Sequence, residues 1–94
     1  MLVIGTKKIF DFIRKHVDSK SWLQSWLAEA RSVEWQSPSD VKAKYPSSSI
    51  LSGNRMIFDV KGNDYRMEVQ ISYKNAKVVI KRLGTHAEYN RWKR

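Results

Sequence analysis

The sequence predicts an α+β domain: an N-terminal strand and a helical hairpin packed on an antiparallel β-meander, with a short helix at the C-terminus. Three observations lead to this prediction. Apolar residues recur at helical spacing in the first third of the chain, and from Arg55 onward they alternate with polar residues instead. A length of 94 residues with 41% hydrophobic residues suits one domain with a modest core, which we predict to span residues 1–94.

The start of the chain is predicted to contain one strand and two helices. Residues 2–5 form a short β-type run, and Thr6 is expected to cap the first helix because its hydroxyl can accept a hydrogen bond from a free amide. Residues 17–21 interrupt the helical pattern, and the second helix fades near residue 33 or 34. The apolar stripes, expected to face the core, comprise Ile9, Phe10, Ile13 and Val17 in the first helix and Trp22, Leu23, Trp26, Leu27 and Ala30 in the second.

A short third helix has clear signals at both ends. Ser37 is the predicted N-cap, Pro38 suits the first helical position, and Asp40 would complete a capping box. Pro46 ends the helix, because the residue before a proline avoids the helical region. Residues 47–54 are expected to form a polar connection without regular structure.

The second half of the chain predicts a hairpin meander and a last helix. Gly62 and Asn63 are expected to take positive φ in the first hairpin turn. Gly84 predicts a turn into the last helix, which Thr85 would cap. The three predicted strands cover residues 55–60, 65–73 and 77–83.

The two faces of the predicted meander differ in polarity. The helical hairpin is expected to cover the apolar face, because a sheet must bury one face against another layer. The middle strand then directs Arg66, Glu68 and Gln70 to the opposite face. We expect that face to be free of helices and to form a groove for a nucleic acid strand.

Charge narrows the classes of partner. Lys and Arg total 18 against nine Asp and Glu, which gives a net charge of +9, and most of the excess lies after residue 53. Such an excess favours a polyanion such as nucleic acid, although a generic solubilising surface is the alternative. The chain has no cysteine and two histidines, so we predict no metal and no cofactor. The short apolar run at the start suits neither a signal peptide nor a membrane span, which favours the cytoplasm.

Three residues are candidates for catalysis on RNA. Cleavage by the neighbouring 2′-hydroxyl requires a cation to neutralise the phosphate and groups that move protons. Arg66 lies in a rigid strand and suits the first task, although a salt bridge on the strand face, with Glu68 or with a neighbour across the ladder, is an equal alternative. His86 and Tyr89 lie one helical turn apart and suit the second task, although a surface histidine is the commoner reading. His16, at the end of the first helix, is predicted to be structural.

Basic residues of the second half could follow an RNA backbone. Each alone is more often a solvated surface charge, so their importance lies in the positive electrostatic field that they produce together. The main candidates are Lys61, Lys74, Lys81, Arg82 and Arg91, and Lys77, Lys93 and Arg94 add to them.

Three segments in this order, "SPSDVKAKYPSSSIL", "NRMIFDVKGNDYRMEVQI" and "RLGTHAEYNR", closely resemble the HigB-type toxins of bacterial toxin–antitoxin modules, which belong to the RelE superfamily. The resemblance implies a ribosome-dependent endoribonuclease (mRNA interferase) that cleaves translated mRNA in the A site of the 70S ribosome without a metal and arrests growth. It also implies a HigA-type helix-turn-helix antitoxin, operator DNA bound only through the antitoxin complex, and no membrane.

The resemblance also suggests roles for single residues. Arg66 matches the strand arginine of the family, and His86 falls in the segment that carries C-terminal catalytic residues. Lys7, Lys8 or Lys61 could assist catalysis, and the resemblance does not indicate which of the three does so.

Two alternatives keep the same fold. A non-catalytic RNA-binding module would bind RNA in a salt-dependent way and leave no cut product. An antitoxin-binding module acting in operon repression would pair with its antitoxin without arresting growth.

Overall fold

The computed structural model describes residues 1–92 of the chain; Lys93 and Arg94, which the charge pattern added to the basic field, lie outside this part. A short 3₁₀ turn, Val17–Ser19, separates the first two helices. The elements in chain order are β1 (Leu2–Ile4), α1 (Thr6–Lys15), α2 (Lys20–Ser32), α3 (Pro38–Lys44), β2 (Ser49–Leu51), β3 (Arg55–Val60), β4 (Tyr65–Ser72), β5 (Lys77–Thr85) and α4 (His86–Trp92).

One sheet in the order β1-β5-β4-β3-β2 organises the fold. Strands β2 to β5 form an antiparallel meander, and β1 joins its edge parallel to β5. The predicted α+β class is confirmed.

The core lies between the helices and the apolar face of the sheet. Trp26 of α2 is fully buried, and its ring meets the ring of Phe58 edge-on at 5.4 Å. Tyr45 packs against the same phenylalanine at 5.3 Å. Met67 and Val69 of β4 contribute to this cluster, as the strand alternation predicted.

The first helix turns a different face to the core than the sequence predicted. Phe10 and Val17 are 48% and 69% exposed, so their assignment to the core was wrong. Phe12 is buried beside Ile9 instead, because a spacing of three also places two residues on one face of a helix. Val17 lies in the 3₁₀ turn, outside the periodicity of α1.

The predicted N-terminal caps of α1 and α3 are confirmed only in part. Helix α1 begins at Thr6 itself, and Gly5 is its N-cap with φ of +91°. A Cβ on Gly5 would lie 3.2 Å from the Ile80 carbonyl oxygen, so glycine also permits close approach to β5. Ser37 is the N-cap of α3, as predicted, but the Asp40 carboxylate accepts from the N–H of Gln36, so no capping box forms.

Three predicted connections also differ from the structure. Residues 49–51, assigned to an irregular segment, form strand β2 because they pair with β3, a contact that periodicity does not reveal. In the first hairpin turn, positive φ falls on Lys61 and Gly62 rather than on Gly62 and Asn63. Gly84 does not form a turn: β5 continues through it to Thr85, and α4 follows directly.

Candidate functional site

Arg66 lies in β4 directly opposite Asp59 of β3, and its side chain is almost entirely buried. Its Nε is 3.1 Å from a carboxylate oxygen of Asp59. Its Nη1 donates to the carbonyl oxygens of Asn63 and Tyr65 at 3.3 and 3.0 Å, and its Nη2 donates to the Asn63 side chain. The cross-strand ion pair that the sequence left open is therefore present, with Asp59 as the partner.

The short helix α4 lies over the face of the sheet that carries Arg66. The Tyr89 ring lies 5.2 Å from the Cζ of Arg66, and the Trp92 ring lies 4.5 Å from the Cζ of Arg82. Both distances suit a cation–π contact. Arg66 and Glu68 are only 7% and 4% exposed, so the prediction of an open polar face was wrong.

Two features of the β5–α4 junction hold this helix in place. A Cβ on Gly84 would lie 2.7 Å from the Trp92 ring and 3.1 Å from the Cβ of Glu88, so only glycine allows this packing. Thr85 and Glu88 form a reciprocal capping box: the Thr85 N–H donates to the Glu88 carboxylate at 2.8 Å, and the Glu88 N–H donates to the Thr85 hydroxyl at 3.2 Å. The predicted cap at Thr85 is thus confirmed.

His86 and Tyr89 share one side of α4, as their spacing predicted. Their rings are 6.4 Å apart and roughly perpendicular. The His86 side chain is exposed, and its Nδ1 lies 3.4 Å from Nδ2 of the Asn90 side chain. The backbone N–H of His86 donates to the Asp64 carbonyl, which ties α4 to the β3–β4 turn. Tyr89 thus stands between the buried Arg66 and the exposed imidazole.

A cleft of about 390 Å³ opens beside Tyr89, between α4 and the β2–β3 edge. The buried carboxylate of Glu68 lies at this cleft and accepts from Arg82 Nε at 2.8 Å and from Arg55 Nη1 at 3.3 Å. Sequence reasoning did not single out Arg55 or Glu68 as site residues. The signal that could have found them is the strand alternation, which puts both on the face of Arg66. The cleft is lined by Leu51, Arg55, Ile57, Glu68, Arg82, Tyr89 and Trp92.

The predicted RNA-binding residues lie at several separate places. Lys61 is in the β3–β4 turn, with its Nζ 2.9 Å from Asp18 and 3.6 Å from Asp64. Lys81 lines a second, shallower cleft of about 300 Å³ together with Lys8 and Lys15 of α1.

The other three predicted RNA-binding residues differ in their surroundings. Lys74 is exposed in the β4–β5 turn, and Arg91 is exposed on α4. Only Arg82 contributes to the cleft beside Tyr89.

A polar cluster at the β3–β4 turn contacts the 3₁₀ turn. His16 packs between Phe12 and Tyr65, with ring centroids 4.4 and 5.0 Å away, which agrees with a structural role. The Tyr65 hydroxyl donates to Asp18 at 2.6 Å. This hydrogen bond, and then the one from Lys61, lower the pKa of Asp18, and the same hydrogen bond to Asp18 raises the pKa of Tyr65.

Residues 1–92 contain neither a metal-binding group nor a membrane-spanning helix. No group of three or more His, Asp or Glu side chains is placed to hold a metal ion. None of the helices in this part of the chain is both long and apolar enough to cross a membrane.

The fold and the site define a class: a small α+β protein whose basic sheet carries a fixed arginine beneath a short C-terminal helix. Residues 19–92 match the family of HigB toxins, described as the RelE-like toxic component of a toxin–antitoxin system, and the chain belongs to this family. The matched range begins at Ser19, so it includes the meander and α4 and leaves out β1 and α1. Membership implies an antitoxin as partner. A search of the curated proteins found no significant match to this chain.

Proposed function

We propose that this toxin is a ribosome-dependent endoribonuclease that cleaves translated mRNA by attack of a 2′-hydroxyl on the neighbouring phosphate. The observation that carries the proposal is the succession of Arg66, Tyr89 and His86 at one end of the sheet, in a chain with a net charge of +9. A fixed cation beside two groups able to move protons is what this reaction needs when no cofactor takes part.

Arg66 would stabilise the charge that develops on the phosphoryl oxygens. Among residues 1–92, Nη1 donates to the carbonyl oxygens of Asn63 and Tyr65, Nη2 donates to the Asn63 side chain, and Nε forms the ion pair with Asp59. One N–H of Nη2 is left for a phosphoryl oxygen. This arrangement fixes the cation before RNA arrives, which favours transition-state stabilisation because no reorganisation is needed during the reaction.

His86 and Tyr89 would move the protons. One of them removes the proton of the 2′-hydroxyl as the bond from that oxygen to phosphorus forms. The other donates a proton to the 5′-oxygen as its bond to phosphorus breaks. The products are a 2′,3′-cyclic phosphate and a free 5′-hydroxyl, and no cofactor is consumed.

The test is inducible expression of the toxin followed by mapping of 5′ ends on a translated message. We expect new ends within open reading frames, their absence when the message is not translated, and at least about a hundredfold less cleavage by Arg66→Ala. Arg31→Ala is the matched control, because Arg31 is exposed at the end of α2. Undiminished cleavage by an Arg66→Ala, His86→Ala double variant would refute the site, and growth arrest without any cut would favour a non-catalytic RNA-binding module.

The proposed antitoxin is of the HigA type, with a helix-turn-helix domain that contacts the operator. Co-expression of such an antitoxin should relieve growth arrest. The complex should retard operator DNA in a gel, whereas the toxin alone should bind that DNA no better than an unrelated duplex. Operator-specific binding by the toxin alone would contradict this assignment.

A further inference from the structure

The cleft beside Tyr89 has the size and the walls of a site for a small planar group. Its volume of about 390 Å³ falls within the range of pockets that bind small ligands, about 300–1,000 Å³. Leu51 and Ile57 supply apolar surface on one side, and the Tyr89 and Trp92 rings supply aromatic surface on the other. Aromatic side chains of this kind are the usual platforms on which single-stranded bases stack.

The hydrogen-bond donors of the cleft are two arginines, which a buried carboxylate holds in fixed positions. Glu68 is 4% exposed and binds Arg55 through one oxygen and Arg82 through the other. Arg55 is further fixed because its Nε donates to the Ser52 carbonyl at 3.0 Å, and Arg82 is stacked on Trp92. The two oxygens of Glu68 are occupied by these arginines.

Arg82 keeps donors available for a ligand. Its Nε is bound to Glu68, and no residue between 1 and 92 accepts a hydrogen bond from its two terminal amino groups. Its side chain is 44% exposed at the cleft. Two arginines against one carboxylate also leave the cleft with an excess of positive charge.

We propose that this cleft binds a guanine base of the RNA strand whose scissile phosphate lies at Arg66; the inference rests on the proposed nuclease function and adds a base preference to it. Guanine presents two acceptors, O6 and N7, on one edge, and an arginine fork matches that pair. Adenine presents an amino donor in place of O6, which would face the Arg82 guanidinium. Pyrimidines lack N7 and offer less surface for stacking on Trp92.

The first test measures binding without cleavage. Each of the four nucleoside 5′-monophosphates is titrated into the purified toxin, and the Trp92 indole resonance, assigned from the spectrum of Trp92→Phe, is followed by NMR. We expect the guanosine nucleotide to shift this resonance and to bind about tenfold or more tightly than the others. Equal affinity for all four, or a Trp92 resonance that does not move, would overturn the proposal.

Arg82→Lys distinguishes the effect of the planar pair of donors from that of the positive charge, since lysine keeps the charge and lacks the pair. We expect the variant to lose the preference for guanosine, while Arg31→Lys, on an exposed position of α2, keeps it. An amide spectrum like that of the wild type checks that the variant is folded. A preference that persists in folded Arg82→Lys would overturn the role of Arg82.

The second test maps cleavage sites on translated messages. We expect guanine to be enriched at one fixed position relative to the cut and the enrichment to fall in Arg82→Lys. Cleavage with an even base distribution would refute the cleft proposal and leave the nuclease standing. Guanosine-selective binding by a toxin that cuts no message would refute the nuclease and leave the cleft as a guanine site.

Discussion

The Nε of Arg66 lies 3.1 Å from a carboxylate oxygen of Asp59, directly across the β3–β4 ladder. The Arg66 side chain is 8% exposed and that of Asp59 is 26% exposed, so water reaches this pair mainly from the aspartate side. Arg66, which we propose binds the scissile phosphate, is therefore also part of the internal charge pairing of the sheet. Its position depends on a residue that needs no contact with RNA.

Asp59→Asn should weaken both the fold and the proposed activity. Removing one partner of a buried ion pair leaves the other charge unpaired, and we expect a loss of about 3 kcal/mol in the free energy of unfolding, measured by urea denaturation. Asp64→Asn is the control, because Asp64 is an exposed aspartate in the adjacent turn, and it should cost less than about 1 kcal/mol. If the two variants lost equal free energies of unfolding, the Arg66–Asp59 ion pair would stabilise the fold no more than an exposed pair does.

Gly84→Ala should displace α4 from the sheet. The added methyl group would lie 2.7 Å from the Trp92 ring and 3.1 Å from the Cβ of Glu88, and overpacking of this kind typically costs about 1–3 kcal/mol. The environment of Trp92 should change in its NMR spectrum. In a Trp92→Leu background the same change should cost less, because the closest clash is gone. An unshifted Trp92 resonance in Gly84→Ala would contradict this packing.

Tyr89→Phe removes the hydroxyl of Tyr89 and keeps its ring, so it distinguishes the roles of the two groups. The variant keeps the ring and therefore its contact with Arg66. If the hydroxyl moves a proton in the reaction, as we propose, kcat/KM for message cleavage should fall about a hundredfold. Full activity in Tyr89→Phe together with loss in Tyr89→Leu would instead assign Tyr89 to positioning Arg66.

Helix α4 should loosen at acidic pH. The Thr85 backbone N–H, which donates to the Glu88 carboxylate, lowers the pKa of that group below its ordinary value of 4.5. A carboxyl group with a lowered pKa in the folded state stabilises the fold above its unfolded pKa, and this contribution is lost as pH falls through the folded value. Amide exchange in α4, compared with that in β4, should therefore rise in the wild type as the pH falls below the ordinary pKa of 4.5.

Glu88→Gln is the matched control for this pH dependence, because it keeps an acceptor for the Thr85 N–H and cannot titrate. In this variant the exchange ratio of α4 to β4 should stay nearly constant over the same range. An identical pH dependence in the variant and the wild type would show that another group controls the fraying of α4.

RNA binding should depend unequally on the lysines. Lys61 is neutralised by Asp18 and Asp64, whereas Lys74 and Lys81 have no carboxylate within ion-pair distance among residues 1–92. Lys81→Gln and Lys74→Gln should each lower the slope of log K against log salt by about 0.7 if that lysine contacts one phosphate of a single strand. Lys61→Gln should change the slope less, and an equal change would mean that Lys61 leaves its carboxylates on binding.

The meander and the second helix could be predicted from periodicity alone. The alternation in β4 separates Met67 and Val69 from Arg66 and Glu68, and the stripe of α2 carries the buried Trp26, because burial of one face leaves a regular signal in the sequence. Strand β2 left no such signal. It is a three-residue edge strand that exists because β3 offers it hydrogen bonds.

The sequence by itself determined the α+β class, the HigB-type resemblance, the excess positive charge, and the side of the sheet on which Arg66 lies. The tertiary structure decided how far that side is covered and which charged residues pair there. Trp92 packs on Gly84, and this contact places α4 over a face that was predicted to be open. The register of the strands determines the ion pairs: Arg66 pairs with Asp59, and Glu68 pairs with Arg55 and Arg82. The physical reason is that alternation is a local property of one strand, whereas the partner of each charge depends on register and on which helix returns to the sheet.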